Sequence, residues 1–163
     1  MTYINITKFF GASLIHPDFL NFLQTIFCDH DDYNATTCTI ESPDIGLEFG
    51  FMDPDKFYDD DEGIKFKDGS PVFTYFNIYP ADSGILETLP FNLSFADTRK
   101  TILEKAGKPL NTTDLTNRFL STRILIDHFT LQHLAIQVHY EASSESISFI
   151  QIRNHTLVEK PMK

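Results

Sequence analysis

The chain has 163 residues, of which 42% are hydrophobic, enough for one domain with its own core and too many for a disordered protein. Its formal net charge of −10 argues against direct nucleic-acid binding, because phosphate backbones are contacted through Lys and Arg. No apolar run approaches the roughly 18 residues of a membrane helix, and residues 1–20 lack a basic start followed by a long apolar stretch. We therefore expect a cytoplasmic protein without a membrane segment.

The first half of the chain predicts one helix followed by strands. Pro17 suits the first turn of a helix, and apolar residues recur at helical spacing through 16–27. Three later segments alternate between apolar and polar residues, as strands do: 37–41, 45–51 and 71–79. The 16 phenylalanines suit a sheet-rich core.

The second half repeats that order. Asp97 is placed to cap a helix, Gly107 to end it, and Pro109 to prevent its continuation. The polar segment 110–117 then predicts a loop. Three alternating segments follow it: 124–131, 133–140 and 146–153.

Each half therefore consists of a helix, a loop and about three strands. We interpret the chain as a single domain, 1–163, built from an acidic repeat, 1–85, and a second repeat, 86–163. The predicted fold class is α+β: two tandem helix–loop–antiparallel-strand repeats form one sheet with the helices packed on one face. This arrangement is the simplest way to bury the apolar faces of both repeats.

The negative charge is concentrated in the first repeat. Residues 1–85 carry 15 acidic and 4 basic side chains, whereas residues 86–163 carry 8 and 9. The densest acidic segment is 53–63, which falls in the loop between two predicted strands. It has three interpretations: a solvated loop, a surface that binds a basic partner, or a calcium loop. The calcium pattern is incomplete, because Tyr58 stands where glycine is expected and Ile64 where the last Glu is expected.

The two cysteines, Cys28 and Cys38, could close a disulfide loop or remain two reduced thiols. A zinc site that used both thiols and His30 would lack a fourth ligand. We expect plain thiols, no metal and no cofactor.

The sequence shows no catalytic constellation. His139 is in phase with Gln137 on a predicted strand, which favours a hydrogen-bonded histidine on a sheet face. Asp127 and His128 are neighbours in a strand, so they point to opposite faces and cannot form a dyad. There is no P-loop and no Gly-x-Ser-x-Gly elbow. We therefore expect a protein that is not an enzyme.

The segment 89–109, followed by a polar loop and the alternating segments within 127–152, resembles a known structural module. The module has a Leu-Pro-aromatic-x-Leu-small-Phe leader, a capped helix that ends near Gly-Lys-Pro, and a closing antiparallel meander. The matching residues are Leu89, Pro90, Phe91, Leu93, Ser94, Phe95, Asp97, Ile102, Leu103, Gly107, Lys108, Pro109, Asp127, Leu134, Ile136, Val138, Tyr140, Ile147, Ile150 and Ile152. The sequence departs at Ala106, where a bulkier residue is usual, and at Asn92, where Gly is common.

Such modules resemble the tandem helix-plus-sheet repeats of beta-lactamase inhibitory protein. They are also similar to immunity proteins of bacterial polymorphic-toxin and contact-dependent-inhibition systems. The resemblance extends over about 86–153 and is topological over 1–85. It implies a fold and carries over no catalytic residue.

The function expected from these features is that of an immunity protein. Such a protein would bind and block a cognate, basic bacterial toxin domain, for example a nuclease, through its acidic surface. The candidate toxin-binding residues are Asp53, Asp55, Phe57, Tyr58, Asp59, Asp60, Asp61 and Glu62. The alternative is a non-catalytic accessory or mobile-element protein without a toxin partner, whose acidic loop only keeps it soluble.

Overall fold

The structure is a computed structural model that describes residues 1–53, 70–82, 84–117, 122–141 and 145–154. It has the predicted α+β fold, with one antiparallel sheet of seven strands. The α-helices are α1 (Tyr3–Thr7), α2 (Pro17–Thr25) and α3 (Arg99–Ala106). The strands are β1 (Thr39–Ser42), β2 (Leu47–Met52), β3 (Val72–Ile78), β4 (Asn111–Asn117), β5 (Thr122–Leu131), β6 (Leu134–Tyr140) and β7 (Ile147–Asn154). None of the described helices is long and apolar enough to cross a membrane.

The strand order is β1-β2-β3-β7-β6-β5-β4, so the last strand of each half of the chain lies at the centre of the sheet. β3 and β7 pair antiparallel, with Phe76 opposite Ile152 and Ile78 opposite Ile150. All four of these side chains are buried. The two halves are therefore joined into one sheet by a short ladder with an apolar side.

The helices place their buried residues in one apolar cluster on a single face of the sheet. Phe19 of α2 is fully buried, and its ring stacks on that of Phe73 with the centroids 5.0 Å apart. Ile102 of α3 is also fully buried in this cluster. Burying side chains of this size stabilises the fold by about 2 kcal/mol each, so the helices are held mainly by this face.

The helices differ from the prediction at two points. Helix α1 was not predicted, because five residues are too few to show a helical period. Helix α3 is capped by Thr98, which accepts from the backbone N–H of Thr101, instead of by Asp97. The carboxylate of Asp97 instead accepts from the backbone N–H of Ser94 and from Lys105 Nζ, both at 2.7 Å. Asp97 thus ties the segment before the helix to its last turn.

The segment 110–117, predicted to be a loop, contains strand β4. Its residues pair with β5 along the whole strand, from Asn111 opposite His128 to Asn117 opposite Thr122. The composition of the segment is polar because it is an edge strand with a largely exposed surface. Alternation of apolar residues therefore gives no signal for it, and the described part of the second half contains four strands.

The turn at Phe91 and Asn92 has an unusual backbone conformation. Both residues have left-handed backbone conformations, with φ of 57° and 55°. Asn tolerates this region better than most residues, and Gly better still. The turn directs the ring of Phe91 towards Phe129, with the centroids 5.6 Å apart.

The buried carboxylate of Asp127 joins α3 to the sheet. Its side chain is 0% exposed and accepts two hydrogen bonds from Arg99, from Nε at 2.8 Å and from Nη2 at 2.9 Å. Thr112 Oγ1 donates at 2.6 Å and the Tyr140 hydroxyl at 2.9 Å. Burial alone would raise the pKa of Asp127, but the hydrogen bonds from its partners outweigh it and hold this pKa below its usual value.

We expect Asp127→Asn to lower the free energy of unfolding by about 3 kcal/mol, because Arg99 loses the charge that compensates it in a largely buried site. Asp114 provides the matched control, since its carboxylate makes the same two-bond contact with Arg123 on the surface. Asp114→Asn should cost much less, because water replaces the lost partner. Urea denaturation measures both; equal losses would contradict this role of Asp127.

Candidate binding surface

The sheet face opposite the helices, called the open face here, carries a continuous row of polar side chains. One residue from each strand stands directly opposite the next, so the row crosses the whole sheet. From β1 to β4 in sheet order, its members are Glu41, Glu48, Asn77, Gln151, Gln137, His128 and Asn111. Most of these strands alternate, so most of their apolar residues fill the helix side while this row faces away from it.

Side-chain hydrogen bonds connect the row where the two halves meet. Asn77 Nδ2 donates to Glu48 Oε1 at 2.7 Å, and Gln151 Nε2 donates to Asn77 Oδ1 at 3.0 Å. Asn77 is only 5% exposed, so its amide is held in one orientation by neighbours from both halves of the chain. The centre of the open face is therefore ordered before any partner binds.

An aromatic row lies beside the polar row. His139 stacks on Phe149, with the ring centroids 4.0 Å apart and the planes inclined by 19°. Phe149 in turn lies 5.2 Å from the ring of Tyr79, whose hydroxyl donates to Glu48 Oε2 at 3.3 Å. Burial, with the charge of Glu48 second, raises the pKa of Tyr79 to about 12, so this hydroxyl stays a hydrogen-bond donor at neutral pH.

On the other side of the polar row, a glycine makes room for a tyrosine ring. Gly50 of β2 stands opposite Tyr75 of β3, and a Cβ at Gly50 would overlap that ring. The guanidinium of Arg153 lies 5.5 Å from the centre of the same ring. Tyr75 is thus held between a glycine and a cation, which limits the entropy it would lose in an interface.

The acidic charge lies towards the β1 and β2 end of the sheet. Glu41 and Glu48 stand opposite each other on the open face, and Asp53 follows β2 as an exposed residue. Burial is the main cause of the raised pKa of the Tyr33 hydroxyl, and the negative charge of the nearby Asp53 adds to it. The aromatic and amide side chains therefore adjoin an anionic end.

Of the predicted toxin-binding residues, the structure places Asp53. The others lie outside the described residues: Asp55, Phe57, Tyr58, Asp59, Asp60, Asp61 and Glu62. The strands on either side of them, β2 and β3, are antiparallel neighbours, so the acidic segment connects two adjacent strands. β2 ends at Met52, and Asp53, which follows it, is exposed.

The cysteines and the acidic residues near them lie towards the start of the chain. Cys28 is buried, Cys38 is partly exposed, and both are free thiols. Burial, with a smaller contribution from the charge of Asp32, raises the pKa of the Cys28 thiol despite a hydrogen bond to Ser42, which makes it a poor nucleophile. Asp29, His30 and Asp31 have ligand atoms within 4.8 Å of one another, but all three residues are exposed, and exposed acidic groups are common without an ion.

The histidines have the placement that strand alternation predicts. His139 Nε2 lies 3.2 Å from Gln137 Oε1, an amide oxygen that does not act as a proton acceptor in catalysis. Asp127 is buried on the helix side, whereas His128 is part of the polar row on the open face. The two residues therefore do not form a dyad.

The open face cannot be recognised as a surface from the sequence. Its members were visible as polar residues at alternate positions of the strands, as in Gln137 and His139. Their alignment depends on the strand order and register, above all on the pairing of Asn77 with Gln151, which lies 74 positions away. No single-strand pattern contains that information.

Comparison of this chain with protein-family models, with curated proteins and with solved structures gave no match.

The stability of the fold should fall between pH 6.5 and 4 because of His139. Burial, with the charge of His128 second, lowers the pKa of His139 from 6.5 to about 4. Over this range the unfolded chain binds a proton at this position and the folded chain does not, so acid favours unfolding. We expect this group to cost about 2 kcal/mol at pH 4, allowing for its partial exposure to solvent.

Urea midpoints at pH 7 and pH 4.5 measure this effect in the wild type and in His139→Gln. In His139→Gln, the urea midpoint should differ less between pH 7 and pH 4.5 than it does in the wild type. His133→Gln removes an exposed histidine from the turn between β5 and β6 and should leave the difference unchanged. An unaltered pH dependence in His139→Gln would contradict the assignment.

Proposed function

We propose that this chain is an immunity protein, which binds a cognate, basic toxin domain of the same bacterium and blocks it without chemistry. The observation that carries the proposal is the open face, an ordered surface of aromatic, amide and arginine side chains next to an acidic end. Aromatic side chains and arginine are the residue types that contribute most to binding energy in protein interfaces.

The acidic side chains would act first, during approach. A toxin domain that cleaves nucleic acid has a cationic active site, and the acidic segment 53–62 presents charge of the opposite sign. This charge would speed the encounter and select basic partners. Occupation of the cationic site by carboxylates would exclude a phosphate backbone from it.

The open face would then hold the complex. Tyr75 and Phe149 offer apolar surface in fixed positions, since Gly50 and His139 restrict their rings. The amides of the polar row offer hydrogen bonds at the centre of the contact. This division of roles predicts different kinetic effects: the acidic side chains govern the association rate, and the aromatic residues govern the dissociation rate.

The test begins with affinity capture. The immobilised full chain is exposed at low salt to a lysate of the cells that carry its gene, and the captured basic polypeptide is identified by mass spectrometry. Expression of that polypeptide should stop growth, and co-expression of this chain should restore it. A captured polypeptide that is harmless, or whose toxicity this chain does not relieve, would exclude immunity and favour an accessory protein.

Two variants then test the surface by measuring rates with the captured polypeptide. Changing Asp59, Asp60 and Asp61 to Asn should lower the association rate by about tenfold, and less so at high salt. Tyr75→Ala should raise the dissociation rate by about tenfold or more. The control changes three exposed acids elsewhere to amides: Asp82, Glu104 and Glu141. If the control slowed association as much as the loop variant, net charge alone would be responsible.

A further inference from the structure

The two edges of the sheet differ in how they are protected from pairing with another strand. β1 is four residues long, contains Glu41 and is followed directly by Pro43. β4 is seven residues long and contains neither proline nor lysine, the usual devices that prevent edge pairing. As the last strand in the sheet order, β4 has one side without a strand partner in the described part of the chain.

The surface of β4 also carries exposed apolar side chains. Leu115 of β4 and Ile124 of β5 stand directly opposite each other on the open face. They are 61% and 52% exposed, among the most exposed large hydrophobic side chains of the described residues. An apolar pair on an exposed edge strand favours association with another strand over solvation.

The charge distribution favours a second copy of β4 as the strand that pairs with β4. Asp114 is the only charged residue of β4, and Arg123 binds its carboxylate through two nitrogens. Two copies that meet at β4 keep their acidic ends about 60 Å apart along a joined sheet, far beyond the screening length at physiological salt. Pairing at β1 would instead bring the acidic ends together.

We propose that β4 is a homodimer interface, at which a second copy of this chain adds its own β4 antiparallel and extends the sheet across both molecules. A two-fold axis makes such an edge complementary to itself. The register is centred on Leu115, which then faces Leu115 of the second copy with an Ile124 on either side. A register centred on Asp114 would place two carboxylates opposite each other, which is unfavourable.

The dimer is independent of toxin binding and leaves the acidic ends of both copies free. It predicts a particle with two equivalent binding surfaces, each on the open face of one copy. Because one edge strand contributes a small contact area, the dissociation constant is expected in the micromolar range.

Sedimentation equilibrium of the purified full chain over ~1–500 μM provides the test. The wild type should pass from one to two chains per particle. Leu115→Glu, which places two carboxylates at the two-fold axis, should raise the dissociation constant at least about tenfold. Leu110→Glu is the matched control: Leu110 is 73% exposed and precedes β4, so the same substitution should leave dimerisation unchanged.

Hydrogen exchange tests the interface without a substitution. The amides of 111–117 should exchange more slowly at high than at low protein concentration, while those of β1 should not change. A wild-type chain that remains monomeric throughout would overturn the proposal. So would a dimer that Leu115→Glu and Leu110→Glu weaken equally, or one whose concentration-dependent protection lies outside 111–117.

Discussion

The pairing of β3 with β7 is the constraint on which the rest of this structure depends. Four residues of each strand form the ladder that makes two small meanders into one seven-stranded sheet. On the helix side, Phe76, Ile78, Ile150 and Ile152 close the core across this seam. On the other side, the bond between Gln151 and Asn77 joins the polar row. One ladder thus sets both the core and the surface, because strand alternation couples the two faces.

The two faces of the sheet differ in composition because the helices cover only one of them. α2 and α3 use aromatic and aliphatic side chains to cover one face, and the buried Asp127 fixes α3 to the sheet through Arg99. The other face is consequently available for polar residues, whose burial in a core would be costly, and for aromatic residues beside them. Tyr75 and Phe149 are held in position by neighbouring residues of the strands, so no additional loop or helix is needed to orient them.

Much of the fold could be predicted from the sequence, whereas the surface could not. Pro17 and Gly107 mark ends of helices, and strands such as β6 alternate clearly, because local signals determine local structure. β4 was missed because an exposed edge strand lacks an apolar period. The polar row was missed because it exists only after seven strands are aligned. The acidic segment was evident from composition alone, since charge density needs no register.

The seam also joins residues that are far apart in the chain. Glu48 and Asn77, neighbours within the first half, are 29 positions apart, whereas Asn77 and Gln151 are 74 apart. Closing the longer loop costs more chain entropy, so each meander can form before the seam does. A chain whose two meanders had formed without the seam would expose the free edges of β3 and β7 together, both rich in apolar and β-branched residues. Edges of this kind pair readily with other chains, so closing the seam also protects the chain from aggregation.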